Sequence, residues 1–119
     1  MNLFIAYHYE DDQTADGLAD DLAGRGLVVG EGLELWPGMR LLPRLDQGLV
    51  EARHAIVVVS WDFLRLGLPR KELDGLVARR KVVCVLSGIE ETDVAEHSPK
   101  LAVAALQMSD RLVNLLRGD

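Results

Sequence analysis

A chain of 119 residues has the length of one compact domain and leaves no room for a second, since domains cluster near roughly 100–150 residues. Apolar residues make up 49% and charged residues 27%, which excludes a disordered chain, and an aromatic share of 5% makes the core aliphatic. With 13 basic against 19 acidic residues the formal charge is −6, and no run of Lys and Arg forms a stripe able to neutralise several phosphates, so nucleic acid is not expected as a partner.

Leu3 to Tyr7, LFIAY, is a nearly continuous apolar run and predicts a strand buried on both faces. The period then changes. From Asp12 to Gly24 the residues Ala15, Leu18, Ala19 and Leu22 recur at helical spacing, acidic side chains crowd the start, and Gly26 sits where helices stop. His8-Tyr9-Glu10-Asp11 is the loop between the two. Leu27 to Val29 predicts a second short strand, with EGLELWPG as the loop behind it. Leu42, Leu45, Leu49 and Ala52 predict the next helix, with Pro43 tolerated in its first turn. Ala55 to Val59, AIVVV, is the central strand; Ser60 ends it, a loop follows, and Pro69 opens a third helix carrying Leu73, Leu76 and Val77. Val82 to Leu86 predicts a fourth buried strand. Gly88 to Lys100 is polar and irregular with room for one helical turn, Leu101 to Gln107 fits strand and helix templates alike, and Ser109 caps a last helix carrying Leu112, Leu115 and Leu116.

Alternating strands and helices with short connections predict an α/β fold, a parallel sheet wrapped on both faces by right-handed crossovers. Five such units match the flavodoxin-like arrangement, strand order 2-1-3-4-5, with Ile5 and Val57 as sheet-core neighbours. Ligands then bind beyond the C-terminal ends of strands one and three, where the winding reverses. The loops at that address are His8-Tyr9-Glu10-Asp11 and Ser60-Trp61-Asp62-Phe63, and the helix just behind the second loop carries Glu72.

On residue type alone Glu72 has two readings, complementation of a helix N-terminus or the working carboxylate of a site. Asp74, two positions on, faces another side of the helix and reads as solvated. His8 is either an exposed loop histidine or a binding residue, Tyr9 is placed to stack on a base, and Trp36 and Trp61 divide evenly between packing and function. Gly24, Gly26, Gly30 and Gly32 read as turn glycines. The three histidines and single cysteine show no metal-ligand spacing, and no Ser-His-Asp nucleophile elbow is present. Cys84, alone within VVCVL, reads as a core residue of a protein from a reducing compartment. The N-terminus has no basic flank before an apolar stretch, and no apolar run approaches the ~20 residues of a membrane span; a cytoplasmic location is expected.

FIAYHYEDD at 4–12 resembles the opening FISYSxxD of Toll/interleukin-1 receptor (TIR) domains, and LELWPGMRLLPRLDQGLVEARHAIVVVS at 33–60 is similar to their second conserved box, whose "BB loop" ends in Pro-Gly. SWDFLRLGLPRKEL at 60–73 is similar, without a gap, to the bacterial and plant pattern S-x-x-F-L-x-S-x-W-x-x-x-E-L, with Leu66 and Leu68 in place of the family's serine and tryptophan. The resemblance covers nearly the whole chain and implies a single TIR domain over 1–119, standing alone or excised from a longer effector. It implies NAD as substrate, with no separate cofactor or metal. Glu72 is then the catalytic carboxylate, and His8, Tyr9, Trp36, Ser60, Trp61 and Leu68 are substrate-binding candidates. Products would be nicotinamide with ADP-ribose or, after attack by the substrate's own adenine, a cyclic isomer. It further implies a role in bacterial antiphage or stress signalling, and self-association through a BB loop spanning Glu31–Gly38. A non-catalytic TIR–TIR interaction module is the main alternative, a nucleoside-processing transferase of the same layout a third. A response-regulator receiver lacks support, because Ser60 stands where an aspartate should end strand three.

Overall fold

In the computed structural model, which describes residues 1–107 and 110–116, five parallel strands form one sheet in the order β2-β1-β3-β4-β5, the topology expected from the alternating pattern. The strands are β1 (Leu3–His8), β2 (Leu33–Leu35), β3 (His54–Val59), β4 (Val82–Leu86) and β5 (Leu106–Gln107). The helices are α1 (Asp12–Gly24), α2 (Leu41–Gly48), α3 (Trp61–Leu64), α4 (Arg70–Ala78), α5 (Glu91–Ala95), α6 (Pro99–Ala104) and α7 (Asp110–Leu116), with a 3-10 turn at Tyr9–Asp11.

Side-chain alternation along the central strands splits the interior into two layers. Phe4, Ala6, Val57, Val59, Cys84 and Leu86 face one layer, closed by Leu45 of α2, Phe63 of α3, Leu73 and Leu76 of α4, Val94 of α5 and Leu101 of α6. Leu3, Ile5, Ile56, Val58, Val83 and Val85 face the other, closed by Leu18 and Leu22 of α1 and by Leu112 and Leu116 of α7. Ile5 therefore pairs with Ile56, and its expected neighbour Val57 pairs with Ala6 on the opposite face. The register is one residue away from that expectation, and in a strand one residue exchanges faces.

The second strand is also displaced. Leu27–Val29 contributes one isolated bridge, Leu3 to Val29, and the strand itself is Leu33–Leu35, inside the segment expected to be loop. An edge strand keeps one side in water, so its signature is alternation and not a continuous apolar run. Leu33 and Leu35 face the core, and Glu34 between them is exposed. What remains of the BB loop as a connection is the short turn after Leu35.

Three further differences follow from local chemistry. Trp61–Leu64 is one helical turn where a loop was expected, because the Ser60 hydroxyl accepts from the Phe63 amide at 3.0 Å and supplies the cap that starts it. Segment 88–104 forms two short helices, α5 with a Glu90/Asp93 capping box and α6 with Ser98 as cap and Pro99 in its first turn. The ambiguous 101–107 stretch is divided: α6 ends at Ala104 and β5 takes Leu106–Gln107. On α7, Leu112 and Leu116 are buried while Leu115 is 46% exposed; the expected Ser109 cap lies outside the described residues.

Cys84 is buried on β4, and burial among aliphatic neighbours pushes its thiol up to about 12. A thiol held protonated is inert to thiolate chemistry. The native protein is therefore expected to resist a disulfide reagent at pH 8 and to react fully once unfolded in guanidinium; rapid labelling of the folded chain would contradict this burial. No helix among the described residues is long and apolar enough to cross a membrane.

Candidate active site

The C-terminal ends of β1 and β3 lie side by side at the winding reversal, the place where open α/β sheets bind ligands. His8, the last residue of β1, is 6% exposed, not the open loop residue its position suggested. Its Nδ1 accepts the backbone N–H of Glu10 at 3.1 Å, so in a neutral ring the proton sits on Nε2. That bond also caps the 3-10 turn, which aims Tyr9 outward from the strand end.

Tyr9 is stacked on two rings. The His8 ring centroid lies 4.4 Å away at 26°, and the Trp36 ring lies 4.0 Å away at 2°. Two near-parallel rings at these separations must cover opposite faces, so a nucleobase reaches Tyr9 only by displacing one of them. Trp36 reaches this position from a Pro37-Gly38 turn closed by Met39 N donating to Trp36 O at 3.1 Å. Gly38 has φ +87°, as the third residue of a turn with proline second requires. The Trp36 amide donates to Met39 Sδ at 3.1 Å. Trp36 remains 49% exposed and borders a cleft of ≈ 610 Å³ with Tyr7, Glu31, Glu34, Met39 and Arg44, within the usual range for small-molecule sites. No residue of α3 or α4 lines that cleft.

Ser60 is buried and joins the two strand ends. Its hydroxyl donates to Asp11 Oδ2 at 2.5 Å while accepting from Phe63 N, so it serves as a structural tie. Asp62 follows on α3 and pairs with Arg65 at 3.1 Å. Ligand-bearing atoms of His8, Asp11 and Asp62 lie within 4.8 Å of one another, a convergence across some fifty residues of sequence that spacing within the chain could not reveal. His8, Asp11 and Asp62 are each already engaged by a protein partner, so the cluster reads as a hydrogen-bonded network. Burial, aided by the neighbouring Asp62 and opposed by the Ser60 hydroxyl, pushes the Asp11 carboxyl above its ordinary value.

An acid raised in the folded state stabilises fully only below its unfolded value and loses that contribution as pH rises through the folded one. Asp11→Asn keeps an oxygen for the Ser60 hydroxyl and removes the penalty. The variant is expected to melt above the wild type at pH 7, with the difference shrinking towards pH 3. An equal difference at both pH values, or a lower melting temperature at pH 7, would contradict this account.

Trp61 is 42% exposed at the start of α3, whereas Leu68 is half-buried against the core. Glu72 lies in the first turn of α4, half-buried, and makes no side-chain hydrogen bond or ion pair among the described residues. On a helix Glu72, Gly75 and Arg79 share a flank. That flank faces α2, because a Cβ on Gly75 would come within 2.8 Å of Leu42 Cδ1 and Arg79 forms a two-pronged pair with Asp46 at 2.7 and 2.8 Å. The first turn of α2 follows the Trp36 loop directly, so Glu72 sits on the side of α4 nearest that loop. Asp74 corrects the solvated reading: its Oδ1 accepts the hydroxyl of fully buried Ser98 at 2.5 Å.

The predicted residues therefore fall into three groups. His8, Tyr9 and Trp36 form one stack, Ser60 ties the 3-10 turn to the start of α3 beside Trp61, and Glu72 and Leu68 belong to the α4 side.

No family model matches the chain. Among characterised proteins it is similar to the NAD(+) hydrolase PdTIR of Paracoccus denitrificans (strain Pd 1222), 32% identical over 108 residues, with 85% of this chain and 36% of that protein covered. It is 33% identical to the 2' cyclic ADP-D-ribose synthase AbTIR of Acinetobacter baumannii (strain 1295743), over 85% of this chain and 40% of that protein. It is 36% identical to the NAD(+) hydrolase TcpA of Theionarchaea archaeon (strain DG-70-1), over 85% and 33% respectively. The chain thus spans well under half the length of these relatives.

Proposed function

The chain belongs to the Toll/interleukin-1 receptor (TIR) domain family, and from that premise we propose that it cleaves the bond between nicotinamide and ribose in NAD. The observation that carries the reading is similarity over 85% of the chain to relatives named for NAD hydrolysis and for cyclic ADP-ribose synthesis. A carboxylate, Glu72, that is tied to no partner of its own among the described residues and is carried on the α4 flank that faces α2 supports it.

In this mechanism the C1′–N1 bond breaks, and its electron pair leaves with nicotinamide as a neutral molecule. The ribose gains oxocarbenium character, which the Glu72 carboxylate stabilises or aligns through the ribose hydroxyls. Water then bonds to C1′ and loses a proton to solvent, giving ADP-ribose. An internal nucleophile gives a cyclic product instead, and excluding water favours it; for a 2′-linked product that nucleophile is a ribose 2′-hydroxyl, not adenine. Trp36, half exposed, supplies aromatic surface for a base, and Tyr9 does so once one of the rings stacked on it is displaced. Incubating concentrated protein with NAD and separating the products by chromatography tests the reading, which unconsumed NAD would overturn. A non-catalytic interaction module is favoured by one observation, Leu68 packed against the core at the position where the TIR pattern that 60–73 resembles has tryptophan.

Self-association through the Trp36 turn, in bacterial antiphage or stress signalling inside the cell, completes the proposal, with 1–119 as one TIR domain. Trp36→Ala is expected to lower activity several-fold at high protein concentration while shifting the melting temperature by only a few degrees, because the ring is half exposed. Equal activity per molecule across a hundredfold concentration range, in wild type and variant alike, would count against it.

A further inference from the structure

We propose that Asp74 and Ser98 are a positioning pair which fixes the roll of α4 and so aims the Glu72 carboxylate. This deepens the NAD-cleavage reading and rests on it. Glu72 makes no side-chain hydrogen bond or ion pair among the described residues; its direction is set by the helix that carries it.

That helix has nine residues and packs through a narrow stripe, Leu73 and Leu76 buried with Val77 half-buried beside them, so polar ties on its flanks contribute to fixing its roll. Its C-terminal half is held on the α2 flank by the Arg79–Asp46 pair and the close approach at Gly75. Among the described residues one polar tie, at the middle of the helix, lies on the opposite flank. Residues two apart on a helix point about 200° apart, so Asp74 reaches towards α6 as Glu72 faces α2. There Asp74 Oδ1 accepts the Ser98 hydroxyl at 2.5 Å.

Ser98 is 0% exposed, and its oxygen already accepts Leu101 N at 3.2 Å as the α6 cap. Capping uses only the acceptor. The proton is spent on another element, on a carboxylate, in the geometry of a charge-assisted bond. Ser60 does the same at α3, capping it through Phe63 N and donating to Asp11 at 2.5 Å. Each buried serine thus caps one short helix and bonds a carboxylate of another element.

The test compares Ser98→Ala, Asp74→Ala, their combination and Asp74→Asn, with folding verified by circular dichroism and turnover measured well below each melting temperature. Misplacing a reacting group by a fraction of an ångström to one ångström costs up to about 10²-fold. Each alanine variant is expected to lose about tenfold in kcat with KM within about twofold, and the double variant no more than the worse single one. Asp74→Asn, which keeps an oxygen acceptor for the Ser98 hydroxyl, is expected to recover kcat to within about threefold. Amide hydrogen exchange over residues 70–75 is expected to quicken in Ser98→Ala. Unchanged kcat in both alanine variants overturns the proposal while leaving the NAD reading intact. Unchanged exchange at 70–75 overturns the clamp whatever the chemistry. Absence of NAD cleavage by the wild type overturns the reading itself, and the aiming of Glu72 with it.

Discussion

Glu72→Gln is expected to lower NAD turnover by about 10²-fold or more, equivalent to roughly 3 kcal/mol or above of transition-state stabilisation, while the fold barely registers the change. The substitution keeps the side chain's shape and much of its hydrogen-bonding capacity but removes the charge that opposes the oxocarbenium. No partner is left unsatisfied among the described residues, because Glu72 has none there. What the helix loses is complementation of its first turn, at most about 1 kcal/mol, or a few degrees of melting temperature. The control must avoid Asp74, whose carboxylate grips Ser98; Glu96→Gln, exposed at the end of α5, removes an equal charge and should leave turnover intact. NAD consumption unchanged in Glu72→Gln would end the catalytic assignment of this residue, and loss of fold in the same protein would make it a structural carboxylate.

Buried runs were the most legible part of this sequence. LFIAY, AIVVV and VVCVL lie on strands buried on both faces, and there hydrophobicity alone marks the element, to the residue for β4 and within one residue for β1 and β3. Elements that satisfy competing demands were harder to read. The edge strand Leu33–Leu35 is half solvated, so its three-residue alternation is weak beside the apolar LVV that lies just before it. The short helices α3 and α5 are held by caps and not by a long amphipathic stripe, and too short a window carries no period. For the site, the topological rule supplied an address, and the ring stack of His8, Tyr9 and Trp36 does assemble beside it. Contacts between distant residues did not show. Asp11 with Ser60 and Asp74 with Ser98 join positions 49 and 24 residues apart, and nothing in residue type announces which aspartate meets which serine. On residue type Asp74 reads as solvated, because a charged residue on a helix is solvated more often than not.

Phe63→Ala is expected to have the largest effect on stability, and to complement Glu72→Gln by reversing its pattern. Phe63 is 0% exposed and is among the largest fully buried side chains of the protein, yet it belongs to a helix of only four residues. Truncating a buried phenylalanine costs about 3–5 kcal/mol when the cavity cannot collapse, against a total stability of roughly 5–15 kcal/mol for a domain. A fall of roughly 10–20 °C in melting temperature should follow. Collapse is restricted on this side because the Phe63 amide is held by Ser60, which is in turn held by Asp11. Moving α3 inward to fill the cavity would break that chain of bonds. Phe63→Leu retains most of the buried area and should cost much less. A melting temperature for Phe63→Ala within about 3 °C of wild type would mean that α3 does relax freely and that the serine tie is weak. If the tie holds, chemistry and folding separate by residue: Glu72 is exchanged with little structural consequence because nothing grips it among the described residues, while the aromatic ring behind Ser60 holds α3 against the core.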